Sequence, residues 1–164
     1  MTSFTPQIMI QNWFDSDPGI AEPNGFVRYD PATGEIMEVG QMPRTYILDH
    51  IDQDRPYIHA PAVPFDQHMD FMAGNYVDLA TKQLRPKADF TATISGLTIT
   101  GLPVPCKVFV SVPFAAGRND WWTPQVYDWS DPDIELSFDT PDTYRVTIES
   151  VTHKTGQFKV TYAG

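Results

Sequence analysis

From Leu97 onward, every second residue is apolar in one short run after another. The runs are "LTIT" (Leu97, Ile99), "CKVFVSV" (Cys106, Val108, Val110, Val112), "IELSF" (Ile134, Leu136, Phe138), "YRVTI" (Tyr144, Val146, Ile148) and "FKVTY" (Phe158, Val160, Tyr162). A period of two with β-branched enrichment means strands with one buried and one exposed face. Turn signals separate them at Gly101, Pro103, Pro113, Gly117, "SDPD", "TPDT" and "KTGQ". Short strands at this spacing predict an antiparallel sandwich. Proline excludes the helical alternative: 15 of 164 residues is well above the usual ~5%, and prolines so scattered break helices repeatedly.

The first half repeats a phrase found in the second. "YDPATGEI" (Tyr29–Ile36) and "VDLATKQL" (Val77–Leu84) share D-x-A-T-x-x-(I/L) at an offset of 48 residues, which sets Asp30 on Asp78. Asp30 can open an Asx turn, Pro31 presets φ, and Gly34 can take positive φ. With "FVRY" and "EIMEV" flanking one copy, and "NYV" and "QLRP" the other, the phrase predicts two β-hairpins of one design. Lys82 stands where Gly34 does, so the turn tolerates a side chain there.

Residues 1–25 show neither helical nor strand periodicity. Phe4, Ile8, Ile10, Trp13 and Phe14 are too apolar for a disordered tail, so an extended arm docked on another surface is expected. Gly40 to Met72 carries Pro43, Pro56, Pro61 and Pro64. It reads as a connector in which "TYIL" and "YIHA" could be short strands and "PFDQHMDFMAG" one or two helical turns. The organisation expected is an arm and first hairpin over 1–45, a Pro-rich connector over 46–72, and a second hairpin with the sandwich over 73–164. The fold class is mainly β.

A net charge of −10 and a pI near 4.6 repel phosphate backbones and anionic membranes. The single cysteine, Cys106, forbids an intrachain disulfide or a thiolate cluster; at an inward strand position, it reads as a buried, inert thiol. The first twenty residues lack a basic n-region and a long apolar h-region, so no signal peptide is expected. His50, His59 and His68 lie among carboxylates in "LDHIDQD" and "FDQHMD". Neither the H-E-x-x-H zinc spacing nor a calcium loop with its central glycine is present. No nucleophile or phosphate-loop motif occurs. Neither catalytic residues, metal nor cofactor is expected.

The most unusual stretch is "GRNDWWTPQVYDWSDPD", Gly117 to Asp133, read as a loop between strands. It gathers Trp121, Trp122, Tyr127 and Trp129 beside Asn119, Asp120, Asp128 and Asp131. Three uses fit this composition: capping a small core, a protein–protein contact, or stacking on sugar rings. "DTYRV" (Asp142–Val146) adds a local cue. In immunoglobulin-type sandwiches, a tyrosine precedes the second core cysteine by two residues; Tyr144 stands two before the apolar Val146.

"YVDLATKQLRPK", then "ISGLTITGLPVPCKVFV", then "IELSFDTPDTYRVTIES" resemble small proteins encoded beside the tail genes of tailed bacteriophages. In these the pattern runs roughly Y-V-D-x-A-T-G-x-L-R-P, then G-L-x-x-x-G-L-P, then L-x-F-x-x-P-G-T-Y-x-V. The resemblance spans Tyr76 to Glu149. Lys82 and Asp142 depart from expected glycines, and the tryptophan-rich stretch is an insertion. The resemblance implies a non-enzymatic structural part of a virion near the distal tail, at the tail tip, baseplate or fibre attachment. Such a part assembles in the host cytoplasm and contacts other tail proteins and copies of itself, without nucleic-acid binding or membrane insertion. A glycan-binding module for host attachment and a tail-fibre assembly chaperone are the alternatives.

Overall fold

The computed structural model describes residues 23–111 and 124–164. The chain is mainly β and divides into two compact units, 1–85 and 86–164.

In the first unit, β1 (Pro23–Tyr29) is the central strand of an antiparallel sheet ordered β2-β1-β3, with β2 Ile36–Pro43 and β3 Tyr57–Ala60. A central strand is flanked on both edges, and Phe26, Val27 and Tyr29 are all buried. Arg28 faces Glu38 across the ladder, and its Nε donates to Glu38 Oε2 at 2.8 Å. Helix α1 (Arg44–Asp52) follows Pro43 directly. "TYIL", which the residue types allow as a short strand, lies inside α1. Ile47 is fully buried and His50, three residues on, is half-buried, while Tyr46, Leu48 and Asp49 are exposed, so one helical face turns inward. "YIHA" is strand β3, and a 3₁₀ turn (Phe65–Gln67) leads into the short helix α2 (His68–Gly74).

The hairpin β4 (Asn75–Asp78) and β5 (Gln83–Pro86) completes this unit. Its position in the sequence, over 73–164, predicts that it belongs with the sandwich. In the structure, Val77 of β4 is buried in the same core as Val27, Tyr29, Ile36, Val39, Ile58 and Val63. Residues 46–72, expected as a connector, supply that unit with most of α1, β3 and α2.

The two copies of the repeated phrase take the same turn. Ala32 N–H donates to Asp30 Oδ1 at 2.8 Å, and Ala80 N–H donates to Asp78 Oδ1 at 3.0 Å. Gly34 has φ +81°, and Lys82, at the matching position, has φ +52°. The hairpins also meet reciprocally. Val77 N–H donates to the Gly34 carbonyl at 2.8 Å, and Lys82 Nζ donates to Tyr29 Oη at 3.2 Å. At the 48-residue offset, Tyr29 corresponds to Val77 and Gly34 to Lys82. Position X of each copy therefore touches position Y of the other, the contact logic of a two-fold interface written within one chain.

The second unit holds strands β6 (Thr93–Ser95), β7 (Thr98–Thr100), β8 (Cys106–Ser111), β9 (Gln125–Trp129), β10 (Asp133–Glu135), β11 (Asp142–Glu149) and β12 (Gly156–Tyr162). They form two antiparallel sheets, ordered β12-β11-β8-β9 and β10-β7-β6. Ile99, Val108, Ile134, Val146, Ile148 and Val160, drawn from both sheets, are buried in one core. These are the residues that the period-two pattern places inward. Tyr144 Oη donates to the Thr140 carbonyl at 2.8 Å, four residues upstream, and its ring stacks on Phe138 at 3.8 Å. That bond pins the corner where the chain enters β11.

Candidate functional site

The stretch containing Tyr127 and Trp129, read from the sequence as a loop, is in part strand β9. Its alternation (Gln125, Tyr127, Trp129 against Val126, Asp128) pairs in register with β8, setting Tyr127 opposite Val108 and Gln125 opposite Val110. Residues directly opposite in a ladder share a face. Val108 is fully buried, so Gln125, Tyr127 and Trp129 continue the inner face of the four-stranded sheet beyond the core. Tyr127 is nevertheless 47% exposed.

The inner face of β9 forms one wall of a cavity of about 340 Å³. The opposite wall is β10 and the segment after it, with Ile134, Leu136 and Phe138 apolar, and Glu135 and Asp139 polar. Among the described residues β9 pairs only with β8 and β10 only with β7, so the cavity is a groove between two strand edges. Trp129 Nε1 donates to the Asp133 carbonyl at 3.2 Å, which ties the end of β9 to the start of β10. Tyr127 Oη donates to Gln125 Oε1 at 2.7 Å along the same strand. Val126, on the outer face of β9, is 50% exposed. A strand edge without a partner among the described residues, beside exposed aromatic and aliphatic groups, has the chemistry of a peptide-docking surface.

The sequence-selected residues thus fall into two sets. Tyr127 and Trp129 line the groove together. Trp121, Trp122 and the arm residues Phe4, Ile8, Ile10, Trp13 and Phe14 lie outside the described residues. The groove residues Ile134, Leu136 and Phe138 were read from the sequence only as core. What signals their second role is the shortness of β10, which ends at Glu135 and leaves Leu136 and Phe138 beyond the ladder.

The histidines have local roles. His50 lies over Tyr57 with ring centroids 4.6 Å apart, and the His68 ring contacts the Val63 carbonyl through Nε2 at 3.0 Å. Among the described residues no group of three or more His, Cys, Asp or Glu side chains is placed to hold a metal. Cys106 is buried at the end of β8, and burial pushes its thiol above the ordinary value. That keeps it protonated, hence a poor nucleophile.

Fold and site together define a mainly β protein whose sandwich-like unit carries an apolar groove between two strand edges. No family model, curated protein or solved structure matches the chain.

Proposed function

We propose that the chain is a non-enzymatic structural component of a tailed-phage virion at the distal tail (tail tip, baseplate or fibre attachment), working through protein–protein contacts. The observation that carries this reading is the groove between β9 and β10. It joins a strand that pairs on one side only, among the described residues, to exposed Val126 and Tyr127, a surface suited to an extended polypeptide. The resemblance of Tyr76–Glu149 to phage tail-region proteins supplies the setting. The strand order of the second unit, with the Tyr144 corner bond to Thr140, supports an immunoglobulin-like reading of that unit.

The test is quantitative mass spectrometry of gradient-purified particles of the phage whose genome encodes the chain. A fixed number of copies per particle is the expected result. Abundance in the lysate with absence from particles would replace the structural reading with assembly chaperone. A second reading uses the same groove. Tyr127 and Trp129 beside Glu135 and Asp139 offer aromatic faces and hydrogen-bond acceptors to a sugar, which favours a glycan-binding module. Retention on a glycan array, lost in Trp129→Ala, would establish that reading.

A further inference from the structure

On the outer face of the four-stranded sheet, the strand register sets two basic side chains against each other. Val146, Ile148 and Val160 are buried in the core, so Thr143, Arg145 and Thr147 of β11, and Gln157, Lys159 and Thr161 of β12, lie on the opposite face. Arg145 stands directly opposite Lys159, with Cβ atoms about 5 Å apart. Both residues are exposed. Like charges directly opposite in a ladder repel and weaken the pairing. Among the described residues neither side chain makes an ion pair or a side-chain hydrogen bond.

The neighbours of this pair are neutral. Thr143 and Thr161 stand next to it on one side of the same face, and Thr147 and Gln157 on the other. Ser111 of β8 flanks Arg145. The Thr143 and Thr161 hydroxyls hydrogen-bond across the ladder at 3.3 Å, and Gln157 Nε2 donates to Thr147 Oγ1 at 3.2 Å. Lys107 and Lys154, by contrast, have acids beside them. Lys107 lies between Glu149 of β11 and Asp128 of β9, and Lys154 Nζ is 2.7 Å from Asp89 Oδ1.

Two uncompensated cations framed by hydroxyls and an amide make a receptor for a carboxylate. The guanidinium offers a planar fork, the ammonium a point charge, and the hydroxyls can donate to the remaining lone pairs. The chain's net charge of −10 opposes an acidic visitor at long range, but it is screened beyond about 8 Å at physiological salt. At contact the local set decides. A nucleic acid or an anionic membrane spreads its charge over the whole molecule and meets that repulsion in full; a compact acidic loop meets the pair alone.

We propose that the outer face of β11 and β12 docks an acidic segment of a partner protein, with a carboxylate seated between Arg145 and Lys159. The inference rests on reading the chain as one that works through protein contacts, and not on its place in a particle.

The test titrates the isotope-labelled full-length chain with a blocked hexaglutamate peptide at low salt and follows the amide NMR shifts. Shifts concentrated at residues 143–147 and 157–161 are expected. Arg145→Ala with Lys159→Ala should weaken binding about tenfold. Lys107→Ala with Lys154→Ala, the same change of charge, should weaken it by less than about twofold. Lys159→Glu turns a repelling pair into an attracting one. It should raise the folded-to-unfolded ratio of this unit in urea about twofold to fivefold while abolishing peptide binding. Equal weakening by the two double variants, or shifts spread over all the lysines and arginines, would overturn the site. Equal shifts with inorganic phosphate at the same concentration would overturn the protein partner in favour of a small anion. The same resonances moving with protein concentration alone would overturn it in favour of a second copy. Peptide binding by a chain absent from particles would sustain the inference without the virion setting; no binding by a chain found in particles would sink the inference and leave the virion reading intact.

Discussion

Substituting the two matched turn positions should give opposite results despite the repeat. At Gly34, φ is +81°, and a Cβ there would fall 2.1 Å from the Val77 carbonyl oxygen. Gly34→Ala adds the left-handed penalty of an L-residue, about 1–2 kcal/mol. Displacing β4 to relieve the clash also weakens the Val77 N–H bond to the Gly34 carbonyl, worth about 1 kcal/mol. The total destabilisation should be about 2–3 kcal/mol. At Lys82 the turn already holds a side chain at φ +52°. Lys82→Gly relieves about 1 kcal/mol of that strain. It loses the ammonium contact with Tyr29, 5.4 Å from the ring centroid, and gains unfolded-state entropy, each about 0.5–1 kcal/mol. The net change should lie within about 1 kcal/mol of zero. Urea titration followed by hydrogen exchange of peptides covering 26–40 and 75–85 would isolate this unit from the other. A Gly34→Ala chain within about 0.5 kcal/mol of wild type, or two variants equally destabilised, would refute the reciprocal packing of the hairpins.

Other consequences can be checked on the same material. Tyr144→Phe should keep the Phe138 stack, lose the bond to the Thr140 carbonyl and destabilise the second unit by about 1 kcal/mol in denaturant. Ile148→Ala, at a fully buried position, should cost about 2–5 kcal/mol, whereas Tyr127→Ala should change stability by less than about 1 kcal/mol because the ring is half exposed. The Thr81 hydroxyl, and then the Ala80 amide, hold the Asp78 carboxyl below its ordinary range. A depressed folded value contributes stability above the unfolded pKa of about 3.9, and that contribution is lost as pH falls through the folded value. Asp78→Asn should therefore flatten the acid dependence of hairpin protection as pH falls below the unfolded carboxylate range, measured by hydrogen exchange.

Periodicity made the second unit legible. Ile99, Val108, Ile134, Val146, Ile148 and Val160 alternate in the sequence and share one core in the structure, because a strand's two faces are fixed by its pleat. The turn chemistry was legible for the same kind of reason: Asp30 and Asp78 act on amides two residues away, so no distant contact is needed to read them. What distant packing decides was not legible. "TYIL" has β-type residues, and exposed Tyr46, buried Ile47 and exposed Leu48 fit a strand as well as a helix, so α1 was not legible from this stretch. The second hairpin lies near the sandwich in sequence, but Val77 buries itself with Val27 and Val39. The groove was half visible: the aromatic content of Tyr127 and Trp129 singled out the stretch, while its pairing with β8 could not be seen, since the proline and aspartates around it read as loop.

The central claim, a structural role in the distal tail, is tested most directly by immunogold electron microscopy of intact particles with antibody raised against the recombinant chain. The account predicts gold at one fixed position near the tail's distal end. Unlabelled tails in particles made in a lysate that contains the protein, with epitopes verified on disrupted particles, would contradict it.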